Sequence, residues 1–283
     1  MTVDVGGRSR SYLLFVPPGH DVDEPAPLVI KLHGAPSSPE IQVVQSNLNR
    51  TASEEGIVVV HPAAVDGVWD FEDGGGMDAD VNDVEFISAV IGQVSSIVTI
   101  DPDRVYAIGF SQGAGFSAFL ACHMPEQIAA VVAVAALMCV DGPACPQPQP
   151  TRVMGIVGAA DPITTRGTGD LPFVDLPGPI LEEAKAWAAT NGCDPTPEEE
   201  ASPGDVTRIR YSCGDDAALL VYIHPGGHAW PAEISTGIDT NTIIWEFLGQ
   251  YVGPVTSGWR AVESGCRHKH APAPDPVADT GTP

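Results

Sequence analysis

An α/β fold on a mostly parallel sheet, with helices on both faces, is the class this sequence predicts, and three observations predict it. Short continuous runs rich in Val, Ile and Leu recur at 28–32, 57–60, 105–108, 128–136, 153–157 and 219–223. Runs without polar alternation suit strands covered on both faces. Segments of helical spacing lie between them, so strand and helix alternate through most of the chain. Finally, 283 residues with 43% hydrophobic content can bury a large core.

In chain order, Ser11 to Val16 reads as a first strand, closed by Pro17-Pro18-Gly19. Leu28 to Leu32 is a buried strand ending at His33-Gly34, and Pro36-Ser-Ser-Pro39 opens a helix expected to reach Glu55. Ile57 to Val60 is the next strand. Asp66 to Asp80, with its triple glycine, reads as a loop. Asn82-Asp83 caps a helix whose Phe86, Ile87, Val90, Ile91 and Val94 follow helical spacing. Asp101-Pro-Asp leads into the strand Val105 to Ile108, and a helix runs from just after Ser111 to about His123. The strand around Ile128 to Ala136, a proline-rich loop at 143–150 and the strand Val153 to Val157 follow. A helix over Ile180 to Thr190, a strand over Leu219 to Ile223 and a last helix over Thr240 to Tyr251 complete the pattern. The expected division is one catalytic domain over 1–253 and a C-terminal extension, 254–283. From Arg267 onward that extension alternates Ala, Pro, Asp and Thr and cannot offset its ordering entropy, so it is expected to be disordered.

Charge and cysteine content narrow the function classes. The net charge of −24, from 37 acidic against 13 basic residues, repels phosphate backbones and anionic lipid, which disfavours nucleic-acid and membrane-surface binding. The longest apolar run, Ile128 to Val140, is too short to span a bilayer. Six cysteines permit fifteen pairings. Cys193 and Cys213 lie at element ends in polar surroundings that suit a disulfide, and no zinc-type spacing occurs, so no metal is expected. A secreted protein whose leader is absent from this chain is the expectation. A monomer without cofactor is expected.

The chemistry concentrates at Gly109-Phe-Ser-Gln-Gly113, a G-x-S-x-G pattern between a strand and a helix. That context raises it above a chance match or a simple helix N-cap, because a sharp strand-to-helix turn exposes the serine. Ser111 needs a base, and the base needs an acid to orient it. Asp161, at the turn after the strand Val153 to Val157, is the candidate acid, against the plainer reading of an Asp-Pro turn. His228, in the loop His224-Pro-Gly-Gly-His-Ala-Trp-Pro231, is the candidate base, with His224 its competitor. His61 precedes the acid and fails the order Ser, Asp, His. Oxyanion N–H groups are expected from Gln112 and from Ala35, with Gly34 the near alternative. His33 is expected to brace that loop, and His33 and Gly34 to border the substrate. Trp69 and Trp230 are candidate aromatic walls for an acyl group, against the plainer reading in which Trp69 caps the core and Trp230 packs the histidine loop. Asp78-x-Asp80-x-Asn82 has a calcium-loop rhythm but lacks the glycine and distal glutamate of such a loop.

The sequence resembles the esterase family that groups polyhydroxybutyrate depolymerases with feruloyl and acetylxylan esterases, α/β-hydrolases by fold. The matching words are Tyr12-Leu-Leu-Phe-Val-Pro-Pro-Gly19, Leu32-His-Gly34, Asp101-Pro-Asp-Arg-Val-Tyr106, Gly109-Phe-Ser-Gln-Gly113, Gly158-Ala-Ala-Asp-Pro-Ile163, Asn191-Gly-Cys193 with Tyr211-Ser-Cys213, and Gly226-Gly-His-Ala-Trp-Pro231. The resemblance implies a secreted serine esterase for hydroxycinnamoyl, acetyl or polyester bonds. It also implies Ser111, Asp161 and His228 as triad and a Cys193–Cys213 disulfide. The rival functions are a serine peptidase or acyltransferase, and a non-catalytic polymer-binding module on the same scaffold.

Overall fold

The computed structural model describes residues 1–70, 81–137, 150–163, 180–202, 206–214, 217–235 and 238–253. Their centre is a ten-stranded sheet in the order β1-β2-β4-β3-β5-β6-β7-β10-β9-β8. The strands are β1 (Thr2–Val5), β2 (Arg8–Phe15), β3 (Ala26–Leu32), β4 (Val58–Pro62), β5 (Ile100–Phe110), β6 (Ala130–Val134), β7 (Arg152–Gly158), β8 (Glu198–Ser202), β9 (Val206–Tyr211) and β10 (Ala218–His224). From β4 through β3, β5, β6 and β7 to β10 the pairing is parallel, and the edge strands on either side are antiparallel. The sheet is therefore mostly parallel, as its continuous apolar runs require. A two-stranded ribbon, β11 (Glu233–Ser235) and β12 (Ile238–Asp239), follows β10.

Strand residues divide by parity between two cores. Leu28, Ile30, Val58, Val60, Val105, Ala107 and Val131 face a layer that includes Phe86 and Val90 of α3 (Asp83–Ser95), Phe116 of α4 (Gln112–His123) and Trp187 of α5 (Ile180–Thr190). Val29, Val59, Tyr106, Ile108, Val132 and Met154 face the opposite layer, with Ala52 of α2 (Leu48–Glu55) and Ile244 of α6 (Thr240–Leu248). Alternation across a pleated strand is what sends adjacent residues to opposite helix layers.

Several boundaries differ from the sequence expectations. The helix expected over 36–55 is two, α1 (Pro39–Ser46) and α2, because Asn47 takes a left-handed φ of 49° and its N–H closes on the Val43 carbonyl. The last helix ends at Leu248 rather than Tyr251. The Asn82 cap is present, its side chain accepting from the Glu85 N–H at 2.9 Å. Strands β1, β8 and β9 had no continuous apolar run to announce them. No helix among the described residues is long and apolar enough to cross a membrane. The 254–283 extension and the 71–80 part of the glycine-rich loop lie outside the described residues.

Candidate active site

Parallel strands bring their carboxyl ends to one edge, and β3, β5, β7 and β10 each deliver a segment there. At the end of β5 the chain turns at Ser111, whose φ of 54° and ψ of −120° no ordinary helix or strand residue adopts. Glycines make the turn possible. A Cβ at Gly109 would lie 1.8 Å from the Gly113 carbonyl oxygen, and one at Gly113 would lie 2.4 Å from that of His33. Ser111 is held by its N–H, which donates to the Val134 carbonyl at 2.9 Å. Its hydroxyl does not cap α4.

That hydroxyl meets His228 Nε2 at 2.9 Å, and His228 Nδ1 meets Asp161 Oδ2 at 2.7 Å. Asp161 is fully buried, while Ser111 is 8% exposed. The other carboxylate oxygen, Oδ1, accepts the Ile163 N–H at 2.8 Å, so the Asp-Pro turn and the contact with His228 coexist in one residue. The acid and base loops are knitted together by backbone. Ala159 N–H donates to the His224 carbonyl at 2.7 Å and Ala160 N–H to that of Gly226 at 3.0 Å. The Phe110 ring lies 5.3 Å from that of His228. His224 makes a local contact instead: its Nδ1 accepts the Gly226 N–H at 3.1 Å, and burial pushes its pKa down.

Gly34 lies against the serine, since a Cβ there would be 3.2 Å from Ser111 Cβ. Ala35 follows and is partly exposed at this edge. Gln112 opens α4, so its N–H has no partner within the helix. His33, which is 1% exposed, braces the loop from beneath. Its Nε2 accepts the Ala64 N–H at 3.1 Å, which leaves the proton on Nδ1, directed at the Gly34 carbonyl 2.7 Å away. Burial lowers its pKa, in keeping with a neutral brace.

Two expected substrate contacts are corrected by burial. His33 offers no face to a substrate. Trp69, at 2% exposure, is a core residue: its indole donates to the His33 carbonyl at 2.8 Å and stacks on Phe116 at 4.8 Å. What draws Trp69 inward is Gln112, whose side chain accepts its N–H at 2.9 Å and donates to its carbonyl at 3.3 Å. Trp230 is partly exposed, with one ring face occupied by Lys31 Nζ at 3.9 Å. Sequence reading passed over Lys31, Gln112's side-chain clamp and the buried ion pair of Arg10 with Asp83. Asp83 also accepts the Asp70 N–H at 2.8 Å and so ties down the same loop. A lysine inside an apolar run was the one signal that could have been read. Cys193 and Cys213 form a disulfide, and Cys122 is disulfide-bonded as well; Cys139, Cys145 and Cys266 lie outside the described residues. Among the described residues no group of acidic, His and Cys side chains is arranged to hold a metal.

The family model described as esterase PHB depolymerase matches residues 10–164. The chain belongs to this family. As a member of the PHB depolymerase esterases it is a serine-type carboxylic ester hydrolase. It is 33% identical over 251 residues to NocK of Nocardia uniformis subsp. tsuyamanensis, which bears an esterase name, covering 81% of this chain and 73% of that one. To feruloyl esterase B of Piromyces equi it is 30% identical over 233 residues, or 78% of this chain and 42% of the relative, so it spans less than half of that protein. Among solved structures, acetyl xylan esterase from Aspergillus awamori superposes with a TM-score of 0.64 at 17% identity, over 88% of this chain and 98% of that one. This likeness establishes a shared α/β-hydrolase fold.

Proposed function

We propose that this esterase works through an acyl-enzyme, with Ser111 as nucleophile, His228 as base and Asp161 as its orienting acid. The observation that carries the reading is the continuous chain of contacts from Ser111 Oγ through the imidazole to Asp161, at 2.9 and 2.7 Å. A carboxylate only accepts, so the imidazole proton belongs on Nδ1 and the lone pair on Nε2 faces the serine. Ser111 Oγ attacks the ester carbonyl carbon as its proton passes to Nε2, and the carbonyl oxygen becomes an oxyanion. The N–H groups of Ala35 and Gln112 receive that charge. The imidazolium then gives its proton to the leaving alkoxide, and the acyl group stays on Oγ. Water attacks the acyl-enzyme with His228 again accepting a proton, which releases the carboxylic acid and restores the serine.

Hydroxycinnamoyl esters are the substrate class proposed first, because the relative feruloyl esterase B aligns over most of this chain. Acetyl esters are the smaller alternative. A polyester reading has the family model in its favour. The disulfide of Cys193 with Cys213 supports an exported enzyme. All three proposed catalytic groups come from one chain, which suits a monomer, with residues 1–253 as the catalytic domain and 254–283 as a tail.

The test compares Ser111→Ala with the native enzyme on a nitrophenyl ester, methyl ferulate, acetylated xylan and a polyester film. Turnover should fall by at least three orders of magnitude. Thermal stability should stay within about 1 kcal/mol, since the hydroxyl carries little folding energy. A variant that still turns over would overturn the assignment. A ranking with methyl ferulate last would remove the proposed substrate class.

A further inference from the structure

Lys31 is out of place in an otherwise apolar strand. It stands on β3 between Ile30 and Leu32 and is 1% exposed. Its ammonium makes no hydrogen bond, and among the described residues no carboxylate pairs with it. Burying a charge without a partner costs several kcal/mol or drives the group towards neutrality. Burial accordingly pushes the Lys31 pKa well down. The titratable groups facing it are His61 on β4 and His33 just past the end of β3, and its charge lowers the pKa of both.

What Nζ does meet is the face of Trp230, 3.9 Å from the ring centroid. Trp230 is two residues beyond His228, in the loop between β10 and β11. Its own Nε1 is buried without a partner, so no hydrogen bond at that atom fixes the indole. The loop carrying His228 is therefore tied to β10 at one end and rests on Lys31 at the other. Four residues beyond Lys31 the same strand delivers Ala35 to the reaction edge.

We propose that Lys31 is a positioning residue, whose buried ammonium beneath the Trp230 ring holds the His228 loop in register with the strand that leads to Ala35. The inference rests on His228 being the base. A structural lysine would behave differently. Replacing an unpaired buried charge with an apolar isostere is neutral or stabilising, so loss of the contact should cost turnover while thermal stability holds or rises. As pH climbs through the lowered pKa the ammonium is lost, and the ring contact weakens with it. Native kcat should then decline with rising pH over the interval in which that proton is lost.

The deciding experiment measures kcat, KM, melting temperature and pH profile for Lys31→Met, Trp230→Phe, Trp230→Leu and the Lys31→Met/Trp230→Leu pair, with His228→Ala alongside. Lys31→Met should lower kcat about tenfold with KM within about twofold, keep or raise the melting temperature and lack that decline with pH. Trp230→Phe, which keeps a ring face, should retain most of the rate. Trp230→Leu should match Lys31→Met, and the pair should be no worse than either alone. Full kcat with an unchanged pH profile in Lys31→Met would overturn the proposal, and so would a loss of kcat matched by a falling melting temperature. Should His228→Ala keep native turnover, the assignment of the base falls, whereas an inactive His228→Ala beside an unaffected Lys31→Met removes only the role of Lys31.

Discussion

His61 and Lys31 are neighbours across the β4–β3 ladder, one residue past the paired Val60 and Ile30, and they share a problem of charge. His61 is buried; its Nε2 lies 3.1 Å from Asn49 Oδ1, and its Nδ1 has no partner. Burial first, and the Lys31 charge second, bring its pKa from 6.5 to about 3. The unfolded chain therefore binds a proton over a range in which the native protein refuses it, and stability rises with pH there. That share of stability is complete above pH 6.5 and is lost as pH falls towards 3, at about 1.4 kcal/mol per pH unit. His61→Gln keeps an N–H for Asn49 and removes the titration. Its stability relative to the native protein should improve between pH 7 and pH 4 by on the order of 3 kcal/mol. Denaturant unfolding at the two pH values reads the difference directly; an unchanged gap would mean the imidazole does not resist protonation.

At the scale of elements, the site depends on loops meeting without side chains between them. Gly158 ends β7, and a Cβ there would lie 2.3 Å from the Gly226 carbonyl oxygen and 2.7 Å from that of Gly227. Gly158→Ala must therefore push the loop bearing His228 away from the end of β7, which leads into Asp161. Overpacking of this kind costs about 1–3 kcal/mol, and a displacement near 1 Å at the site can cost about a hundredfold in rate. The expected result is a kcat loss near that size, far beyond the stability loss, measured against Gly92→Ala in α3. A Cβ at Gly92 meets nothing within 4 Å, so that variant should keep full activity. Such contacts explain what could be read beforehand. The central strands and the order Ser111, Asp161, His228 were legible, because buried parallel strands leave continuous apolar runs and the strand-to-helix turn demands small residues at fixed spacing. Strand β8, which begins Glu198-Glu199, was not, since an edge strand carries charge, nor was β9, Val206–Tyr211, whose two arginines break any apolar run between β10 and β8. Trp69 stayed open between substrate wall and core anchor because its burial is imposed by Gln112, 43 residues away in sequence.

The whole molecule carries a net charge of −24, so beyond its core it repels itself. Among the described residues the exposed ion pairs include Arg50 with Asp239 at 2.8 Å and Lys185 with Glu182 at 2.7 Å, and such surface pairs contribute little. Self-repulsion acts over the native surface at close quarters and is diluted in the expanded unfolded chain, so it destabilises the compact state. Salt shortens the range of that repulsion from about 10 Å at 0.1 M to about 3 Å at 1 M. Favourable surface pairs weaken at the same time, but repulsion among 37 acidic groups against 13 basic ones dominates the sum. The melting temperature should therefore rise by several degrees between 0.05 and 1 M sodium chloride, equivalent to about 1–2 kcal/mol for a chain of this size. Sodium chloride is the informative choice, because sulfate would also strengthen apolar burial. The reaction site is screened from this effect, with Asp161 fully buried and His228 bonded to it at 2.7 Å, so kcat on a neutral ester should change little over the same range. Melting curves and initial rates across one salt series separate the two. A melting temperature that falls with salt would mean that attractive pairs, not net repulsion, govern the surface.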